Sequence, residues 1–472
     1  MSHDQQGSRF DRLSADDLTN LAVEDADTPM HVGVVAVLDG QALLDGEGRL
    51  RLAEIRSLVE ARLGQVPHLR KVVYRPGLLG GRPLWVDDPR FSISRHVGCV
   101  RLPPPGGQEQ LLRLAEQLMT PLLDRSHPLW QLWLVTGLPA GRVAVIIKLH
   151  HAVADGLAAV RLVSRLLDVP GDDVGAEHVS WVPQPPPRRL DLVRDNLAVL
   201  AAALLRGAAR RTPRAARSRQ PWRRLRQAVH GLVRAWGAPR TSLNAPVGPR
   251  RRLAVVRLDL AAAKAVAHQY GAKVNDVVLD LVAGGLRALL ASRGEPVAGL
   301  VLRVSVAVSL RTADEADEPG NRAGVIVVRL PLAQPDPVAR LAAIRAESAD
   351  AKRHQFAGTE LRLLAWLARS GLMRYYTRRQ HLTNLTESNV AGPSQPIRML
   401  GAPALDVVPI GVLAGNLAIS FLALSYAGEL VVTVLADADR FPDLPVLVAA
   451  MNDDWGALAS TRPAMAAAAP VT

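Results

Sequence analysis

Residues 150–156, His-His-Ala-Val-Ala-Asp-Gly, are the stretch that decides the fold of this chain. The run before them at 143–149, Val-Ala-Val-Ile-Ile-Lys-Leu, predicts a buried strand, and the apolar spacing at 157–163 predicts a helix. The two histidines are therefore expected where a strand ends and a helix begins, a position from which side chains reach clefts. A histidine there can accept a proton from a hydroxyl near neutral pH, while Gly156 leaves room for a tight turn.

Two adjacent histidines have other uses in proteins. A metal site needs further ligands, but neighbours on a strand point to opposite sides, and the sequence has no HExxH motif or cysteine cluster. A Ser-His-Asp triad on a nucleophile elbow is not indicated either, because no G-x-S-x-G motif occurs. We therefore expect no metal site, and the open alternative to catalysis is a packed, hydrogen-bonded histidine.

Short motifs in a fixed order surround this stretch. They are Leu-Ser-Ala-Asp-Asp at 13–17, Thr-Pro-Met-His-Val-Gly at 28–33, Val-Pro-His-Leu-Arg at 66–70, Pro-Leu-Trp-Val at 83–86, Pro128-Leu129-Trp130, Thr-Ser-Leu-Asn at 241–244, Arg-Arg at 251–252, Val-Asn-Asp-Val-Val-Leu at 274–279, Ser-Asn-Val-Ala-Gly-Pro at 388–393 and Ser-Tyr-Ala-Gly at 425–428. With residues 150–156, this ordered set resembles the bacterial wax ester synthase/diacylglycerol O-acyltransferase family, within the HHxxxDG acyltransferase superfamily. The resemblance spans roughly residues 10–455. Ala307 and Ala391 stand where the family often has proline, departures that bear on the acceptor rather than on the chemistry.

The resemblance implies a fold and an activity. The fold is α/β, with two chloramphenicol-acetyltransferase-like domains and an active site in the tunnel between them. The activity is transfer of a long-chain acyl group from acyl-CoA to the hydroxyl of diacylglycerol, and also to long-chain alcohols to give wax esters. Acyl-CoA is a co-substrate, and no permanently bound cofactor is expected.

The resemblance also implies roles for the central residues. By the HxxxD spacing, His151 is the general base, which a weak alcohol nucleophile requires. Asp155 either holds the imidazole, as the aspartate of a triad does, or turns away and pairs with an arginine, for which Arg311 is a candidate. His150 is then expected to be a packing or supporting residue, and Gly156 to serve the turn.

Two further motifs offer support or substrate contacts. Asn275, next to Asp276, can supply an amide N–H to the negative charge that builds on the thioester oxygen. The alternative is a helix N-cap, because both residues stand at the beginning of an apolar helix predicted around residues 274–292. Trp130, which follows Pro128 and Leu129, either lines the acyl channel or anchors the core.

Composition bounds the remaining choices. The 472 residues exceed one ordinary core, so we expect two domains, and 49% hydrophobic with 21% charged residues excludes wholesale disorder. A single cysteine, Cys99, and a start without basic and apolar blocks indicate a cytoplasmic protein. Residues 407–428 carry no charge, which is long enough for a membrane span, but central Pro, Gly and Asn residues favour two buried strands.

The positive charge is concentrated in residues 188–252. Seventeen arginines stand there against Asp191 and Asp195, a local charge of +15, whereas the whole chain carries +13. Interleaved leucine, valine and tryptophan residues predict amphipathic helices suited to an anionic membrane or lipid-droplet surface. A solvated linker and a nucleic-acid partner are the alternatives, although no DNA- or RNA-binding signature accompanies the charge.

These features divide the chain into four parts. We expect an N-terminal acyltransferase half at 1–180, a Pro/Arg-rich crossover at 181–252, a C-terminal half at 253–458 and a low-complexity tail at 459–472. Strands are predicted at 255–258, 304–308 and 325–328. Two rival functions stay open: a condensation-like enzyme acting on carrier-bound acyl groups, and a non-catalytic lipid-surface protein.

Overall fold

The computed structural model describes residues 8–77, 79–154, 156–167, 181–209, 237–309, 323–353 and 373–460. Its strands are β1 His31–Leu38, β2 Lys71–Tyr74, β3 Leu84–Asp87, β4 Val97–Arg101, β5 Trp130–Thr136, β6 Val143–His150, β7 Arg251–Asp259, β8 Val301–Ser309, β9 Ala323–Pro331, β10 Leu385–Ala391, β11 Arg398–Met399, β12 Ala402–Ile410, β13 Ile419–Tyr426 and β14 Glu429–Asp437. Its helices are α1 Ala15–Val23, α2 Leu52–Arg62, α3 Ile93–His96, α4 Gln108–Met119, α5 Gly156–Leu166, α6 Arg189–Ala209, α7 Leu260–Gln269, α8 Val274–Ser292, α9 Pro337–Arg353, α10 Met373–Thr377 and α11 Leu444–Ser460.

The first sheet is built around β6, the strand predicted before the histidine pair. All residues of β6 are buried, as is expected of a central strand whose sequence is apolar and β-branched apart from Lys148 and His150. The sheet has six strands in the order β11-β12-β1-β6-β5-β4, and only β4 and β5 run parallel. The register of β1 against β6 places His31 opposite His150, so two histidines meet at one end of the sheet.

The second sheet has the order β7-β14-β13-β10-β8-β9 and packs against α8. Helix α8 spans Val274–Ser292, which confirms the predicted helix, and strands β7, β8 and β9 contain the predicted runs. A buried ion cluster ties α8 to α9 and α11: the Arg340 guanidinium contacts Asp280 at 2.8 Å and Asp454 at 2.6 Å. Gly284 leaves the room for it, because a Cβ atom there would lie 1.6 Å from an Asp454 oxygen.

The C-terminal part of the sequence contributes one strand pair to the first sheet. Strands β11 and β12 belong to the C-terminal part of the sequence, yet they extend the first sheet by pairing antiparallel to β1, with Gly33 opposite Ile410. The next strand, β13, lies in the second sheet. The domain boundaries stated from the sequence stay predictions, and they do not include this contribution of β11 and β12 to the first sheet.

The uncharged stretch at 407–428 forms two strands. It contains the end of β12 and all of β13, which are mostly buried and joined by a loop, so the prediction of two buried strands is confirmed. Among the helices of the described ranges, none is long and apolar enough to cross a membrane.

The beginning of the crossover docks on the N-terminal half. Helix α6 follows an extended stretch, and its Asp195 makes a buried ion pair with Arg12 at 2.9 Å. The Trp181 ring lies edge-on to the Phe91 ring, with 6.1 Å between their centroids. The Arg70 guanidinium lies over the Trp181 ring, 4.9 Å from its centroid. The arginine-rich residues 210–236 lie outside the described residues.

Candidate active site

A cavity of about 280 Å³ lies between the two six-stranded sheets. Strands β1, β6 and β12 of the first sheet and β8, β10 and β13 of the second contribute to its wall, together with helix α5. Most lining residues are apolar, with a few polar groups, an arrangement typical of small-molecule sites. The predicted base, His151, lines this cavity, whereas its neighbour His150 is wholly buried.

His151 is held by the N-terminal segment of the chain. It follows β6 directly, and its backbone N–H donates to the Met30 carbonyl at 2.7 Å. The Asn20 side-chain nitrogen of α1 lies 3.2 Å from the Nδ1 atom of His151 and 3.4 Å from its carbonyl oxygen. The histidine that faces the cavity is therefore fixed through both its backbone and its ring.

His150 points away from the cavity toward a buried carboxylate. Its Nδ1 atom accepts from the Ala152 N–H at 2.9 Å, so a neutral His150 carries its proton on Nε2. That atom lies 3.2 Å from Glu24, and the His31 Nε2 atom lies 3.4 Å from the same Glu24 oxygen. His150 is thus packed against Glu24, and its supporting role stays a prediction.

Glu24 is the centre of this polar cluster. It accepts from the Met30 N–H at 3.1 Å and pairs with Arg125 at 2.8 Å. Burial opposes ionisation of this carboxyl, but its contacts with His150 and Arg125 outweigh burial and lower the pKa of Glu24 to about 2. Glu24 thus fixes Met30, whose carbonyl holds the backbone of His151.

The buried His31 makes the stability of the fold depend on pH. Burial, assisted by the Lys148 cation, lowers the pKa of His31 from 6.5 to about 3. Below pH 6.5, His31 binds a proton in the unfolded chain but stays neutral in the folded chain. The free energy of unfolding therefore falls as the pH drops below 6.5. We expect His31→Gln to flatten this fall, as measured by urea unfolding of wild type and variant between pH 7.5 and 5. Removing the exposed His268 by His268→Gln is the control, and an equal slope in wild type and His31→Gln would contradict the expectation.

Asn275 and Asp276 lie in the first turn of α8, so the interpretation of Asn275 as the helix N-cap is wrong. The N-cap is Lys273, and Asp276 accepts from its backbone N–H at 2.8 Å, because a carboxylate three residues on reaches back to that donor. Asn275 instead donates to the Glu387 carboxyl at 3.4 Å. Burial raises the pKa of Glu387 to about 8, so this carboxyl keeps its proton at neutral pH beside the cavity.

The Pro128-Leu129-Trp130 motif leads into β5, which begins at Trp130, and it belongs to the core. Trp130 is fully buried, its indole N–H donates to the Leu69 carbonyl at 2.7 Å, and its ring stacks on His96 at 4.6 Å. Leu129 is buried as well, and its carbonyl accepts from the His150 N–H at 3.0 Å. The motif therefore supports the end of β6, and its placement favours the anchoring role over the channel.

Two predicted site residues, Asp155 and Arg311, lie outside the described residues. Their pairing, and the direct contact of Asp155 with His151, stay predictions. Gly156 is the first residue of α5, and its part in the turn stays a prediction.

Sequence reasoning missed Asn20, Glu24 and Glu387. A signal for the first two exists: they are four residues apart, a spacing that brings side chains to one side of a helix, and they lie between the motifs at 13–17 and 28–33. Glu387 directly precedes the motif at 388–393 and is the one acidic residue of β10. A glutamate inside a strand is uncommon enough to mark it.

Comparison with known proteins identifies the family. The family model of the wax ester synthase/diacylglycerol acyltransferase (WS/DGAT) catalytic domain matches residues 13–278. The family model of the WS/DGAT C-terminal domain matches residues 319–458. A Mycobacterium tuberculosis protein named as a diacylglycerol O-acyltransferase is 31% identical over 468 residues, covering 94% of this chain and 95% of the relative. A second protein of that organism with the same kind of name is 32% identical over 455 residues, covering 92% and 87%.

Solved structures agree. The wax ester synthase/diacylglycerol acyltransferase of Marinobacter aquaeolei VT8 superposes with a TM-score of 0.65 at 25% identity, over 95% of this chain and 98% of that one. The first condensation domain of the calcium-dependent antibiotic synthetase shares the fold alone, with a TM-score of 0.60 at 17% identity over 97% and 98% of the two chains. The predicted fold class and the prediction of an acyltransferase are thereby confirmed, and the chain belongs to the wax ester synthase/diacylglycerol acyltransferase family.

Proposed function

We propose that this enzyme transfers a long-chain acyl group from acyl-CoA to the hydroxyl of diacylglycerol, forming triacylglycerol, with His151 as the general base. The observation that carries the proposal is the position of His151, which lies on the wall of an apolar cavity between the two sheets and is held there by Met30 and Asn20. An apolar cavity suits an acyl chain, and an imidazole on its wall suits removal of a hydroxyl proton.

The proposed reaction needs one proton carrier. His151 takes the hydroxyl proton while the alcohol oxygen attacks the thioester carbon, forming the C–O bond. Negative charge then builds on the thioester oxygen of the tetrahedral intermediate. When this intermediate collapses, the C–S bond breaks. The imidazolium returns its proton to the departing CoA thiolate, so the products are an ester and free CoA and the enzyme is unchanged.

The supporting residues have narrower proposed tasks. The geometry favours a supporting task for Asn275, because its amide nitrogen already donates to Glu387. Asp155 is proposed to fix the loop after His151, through Arg311 or through the imidazole itself. His150 is proposed to hold that loop through Glu24, which it contacts at 3.2 Å.

The acceptor is decided by product analysis. We favour diacylglycerol because two relatives that are 31% and 32% identical are named for it, and we include long-chain alcohols because the Marinobacter relative is named for wax esters as well. Purified enzyme is given labelled palmitoyl-CoA with either diacylglycerol or hexadecanol, and products are resolved by thin-layer chromatography. Labelled triacylglycerol supports the proposal. Wax ester alone would overturn the acceptor, and no ester from either acceptor would overturn the function.

We also propose that the crossover binds an anionic lipid surface. The described part of α6 exposes Leu190, Leu197 and Leu200, at 59%, 57% and 52%, on a helix that also carries exposed Arg189 and Arg194. Exposed leucines and arginines on one helix suit insertion at an interface that attracts cations. A water-insoluble acceptor such as diacylglycerol is found at such a surface.

We expect replacement of four crossover arginines by glutamine to release the protein from anionic liposomes. Arg210, Arg211, Arg214 and Arg217 lie outside the described residues, so this expectation depends on the sequence, with about 1 kcal/mol for each arginine near the surface. Co-sedimentation across a salt series measures the effect, because salt screens the attraction. The control removes the same charge elsewhere, with Arg49, Arg113, Arg329 and Arg398 replaced by glutamine; these four are exposed. Equal release by both quadruple variants, or binding that salt does not change, would contradict lipid binding by the crossover and indicate that it is a linker.

A further inference from the structure

The side-chain amide of Asn20 contacts His151 in a way that specifies where the imidazole proton sits. The same Asn20 nitrogen lies 3.2 Å from the Nδ1 atom and 3.4 Å from the carbonyl oxygen of His151. A carbonyl oxygen only accepts hydrogen bonds, so the amide group that faces it is the NH₂ and not the oxygen. An NH₂ group has two hydrogens, one for each of these acceptors.

This orientation has a consequence for the ring. An amide nitrogen donates and does not accept, so the Nδ1 atom of His151 must be the acceptor in this contact. A neutral imidazole with an accepting Nδ1 carries its proton on Nε2. Because Asn20 occupies Nδ1, a base at this position works through Nε2. That atom then needs a lone pair, so the proton must sit on Nδ1, which is the opposite arrangement.

We propose that Asn20 is a positioning residue that sets the tautomer of His151, holding the Nε2–H form in the free enzyme and turning its amide over to accept from Nδ1–H when the base form is needed. An asparagine can serve both forms, because a 180° rotation exchanges its donor and its acceptor at nearly the same place. The rotated amide gives up its long 3.4 Å hydrogen bond to the His151 carbonyl and gains one from Nδ1–H. Helix α1 keeps the residue in reach through the capping box of Ser14 and Asp17. The inference rests on the proposed role of His151 as the base.

The proposal is tested first by the spectrum of the ring, without activity. Full-length protein labelled with ¹⁵N-histidine is compared with Asn20→Asp, and the His151→Gln variant assigns the His151 signals by their loss. Wild type is expected to show a protonated Nε2 and an unprotonated Nδ1. Asn20→Asp, which has nearly the same shape but can only accept when ionised, is expected to move the proton to Nδ1. A protonated Nδ1 in wild type, or an unchanged tautomer in Asn20→Asp, would overturn the inference.

The second arm separates positioning from mere structure. Thr19→Asp adds the same charge one residue earlier on α1, where the Thr19 hydroxyl bonds the Ala15 carbonyl, and serves as the matched control. With palmitoyl-CoA and diacylglycerol, Asn20→Asp should keep a higher kcat than Asn20→Leu, with the same KM for acyl-CoA, because only the carboxylate can hold the base tautomer. Equal kcat in these two variants, with melting temperatures lowered alike, would show a structural role and overturn the proposal. A tautomer shift in a protein whose His151→Gln variant is fully active would instead overturn the proposed base and leave the tautomer contact standing.

Discussion

Replacing His151 with alanine is expected to lower kcat for acyl transfer by about 10² to 10⁴-fold while the fold stays intact, because a positioned general base contributes that much. His151 is only partly buried and lines the cavity, so its removal enlarges the cavity and leaves no buried charge behind. The measurement is single-turnover formation of labelled ester from palmitoyl-CoA and diacylglycerol. Thermal unfolding of the same sample checks that the variant is folded.

His150→Ala is the matched comparison for this prediction. His150 is wholly buried against Glu24, so its loss is expected to lower the melting temperature and to reduce activity less than His151→Ala does. Glu24 would then remain as a buried carboxylate with one partner fewer, which is the cause of the lost stability. An inactive His150→Ala enzyme beside an active His151→Ala enzyme would show that the base has been assigned to the wrong histidine.

The largest effect on stability is expected from Arg340→Met. Arg340 and Asp280 are 1% and 0% exposed, and the guanidinium also holds Asp454, so the variant leaves a buried carboxylate without its cation. Breaking such a buried pair from one side costs about 3–5 kcal/mol of the free energy of unfolding. Urea unfolding followed by circular dichroism measures the loss.

Two further variants make the Arg340 prediction specific. Arg345→Met removes an exposed arginine from the same helix, where it bonds the Tyr270 carbonyl, and should cost about 1 kcal/mol or less. Adding Asp280→Leu to Arg340→Met removes the buried acidic group that has lost its partner and should restore part of the loss. If Arg340→Met costs no more than Arg345→Met, the ion cluster does not stabilise the packing of the three helices.

Local pattern was enough to predict the elements that carry the site. The strand at β6, the histidine pair at its end, the helix α8 and the two strands within 407–428 all follow from apolar periodicity, which depends on neighbours in the sequence. The wrong N-cap for Asn275 has a local cause too. Either of two adjacent polar residues before an apolar run can begin a helix, and the backbone in fact begins it at Val274, with Lys273 as the cap.

The polar cluster around the histidines could not be predicted in the same way. Glu24 meets His150, and Asn20 meets His151, only because β1 and β6 pair in the register that places His31 opposite His150. Such contacts join residues more than 100 positions apart, and a single sequence holds no record of which distant partners meet. The charge states of Glu24, which is ionised, and Glu387, which is protonated, could not be predicted either. Each depends on the groups that the fold packs beside the carboxyl.

The place of strand β12 in the first sheet has a consequence for how the chain is synthesised and folded. On the ribosome, β1 and β6 emerge early, but the edge of β1 that faces β12 stays open until Ile410 has been made. An open strand edge pairs readily with other chains, so the N-terminal half on its own is exposed to aggregation until the second half is nearly complete. A fragment that stops after residue 250 should therefore collect in inclusion bodies. Supplying residues 251–460 as a separate chain during refolding should bring it back into solution as a two-chain enzyme.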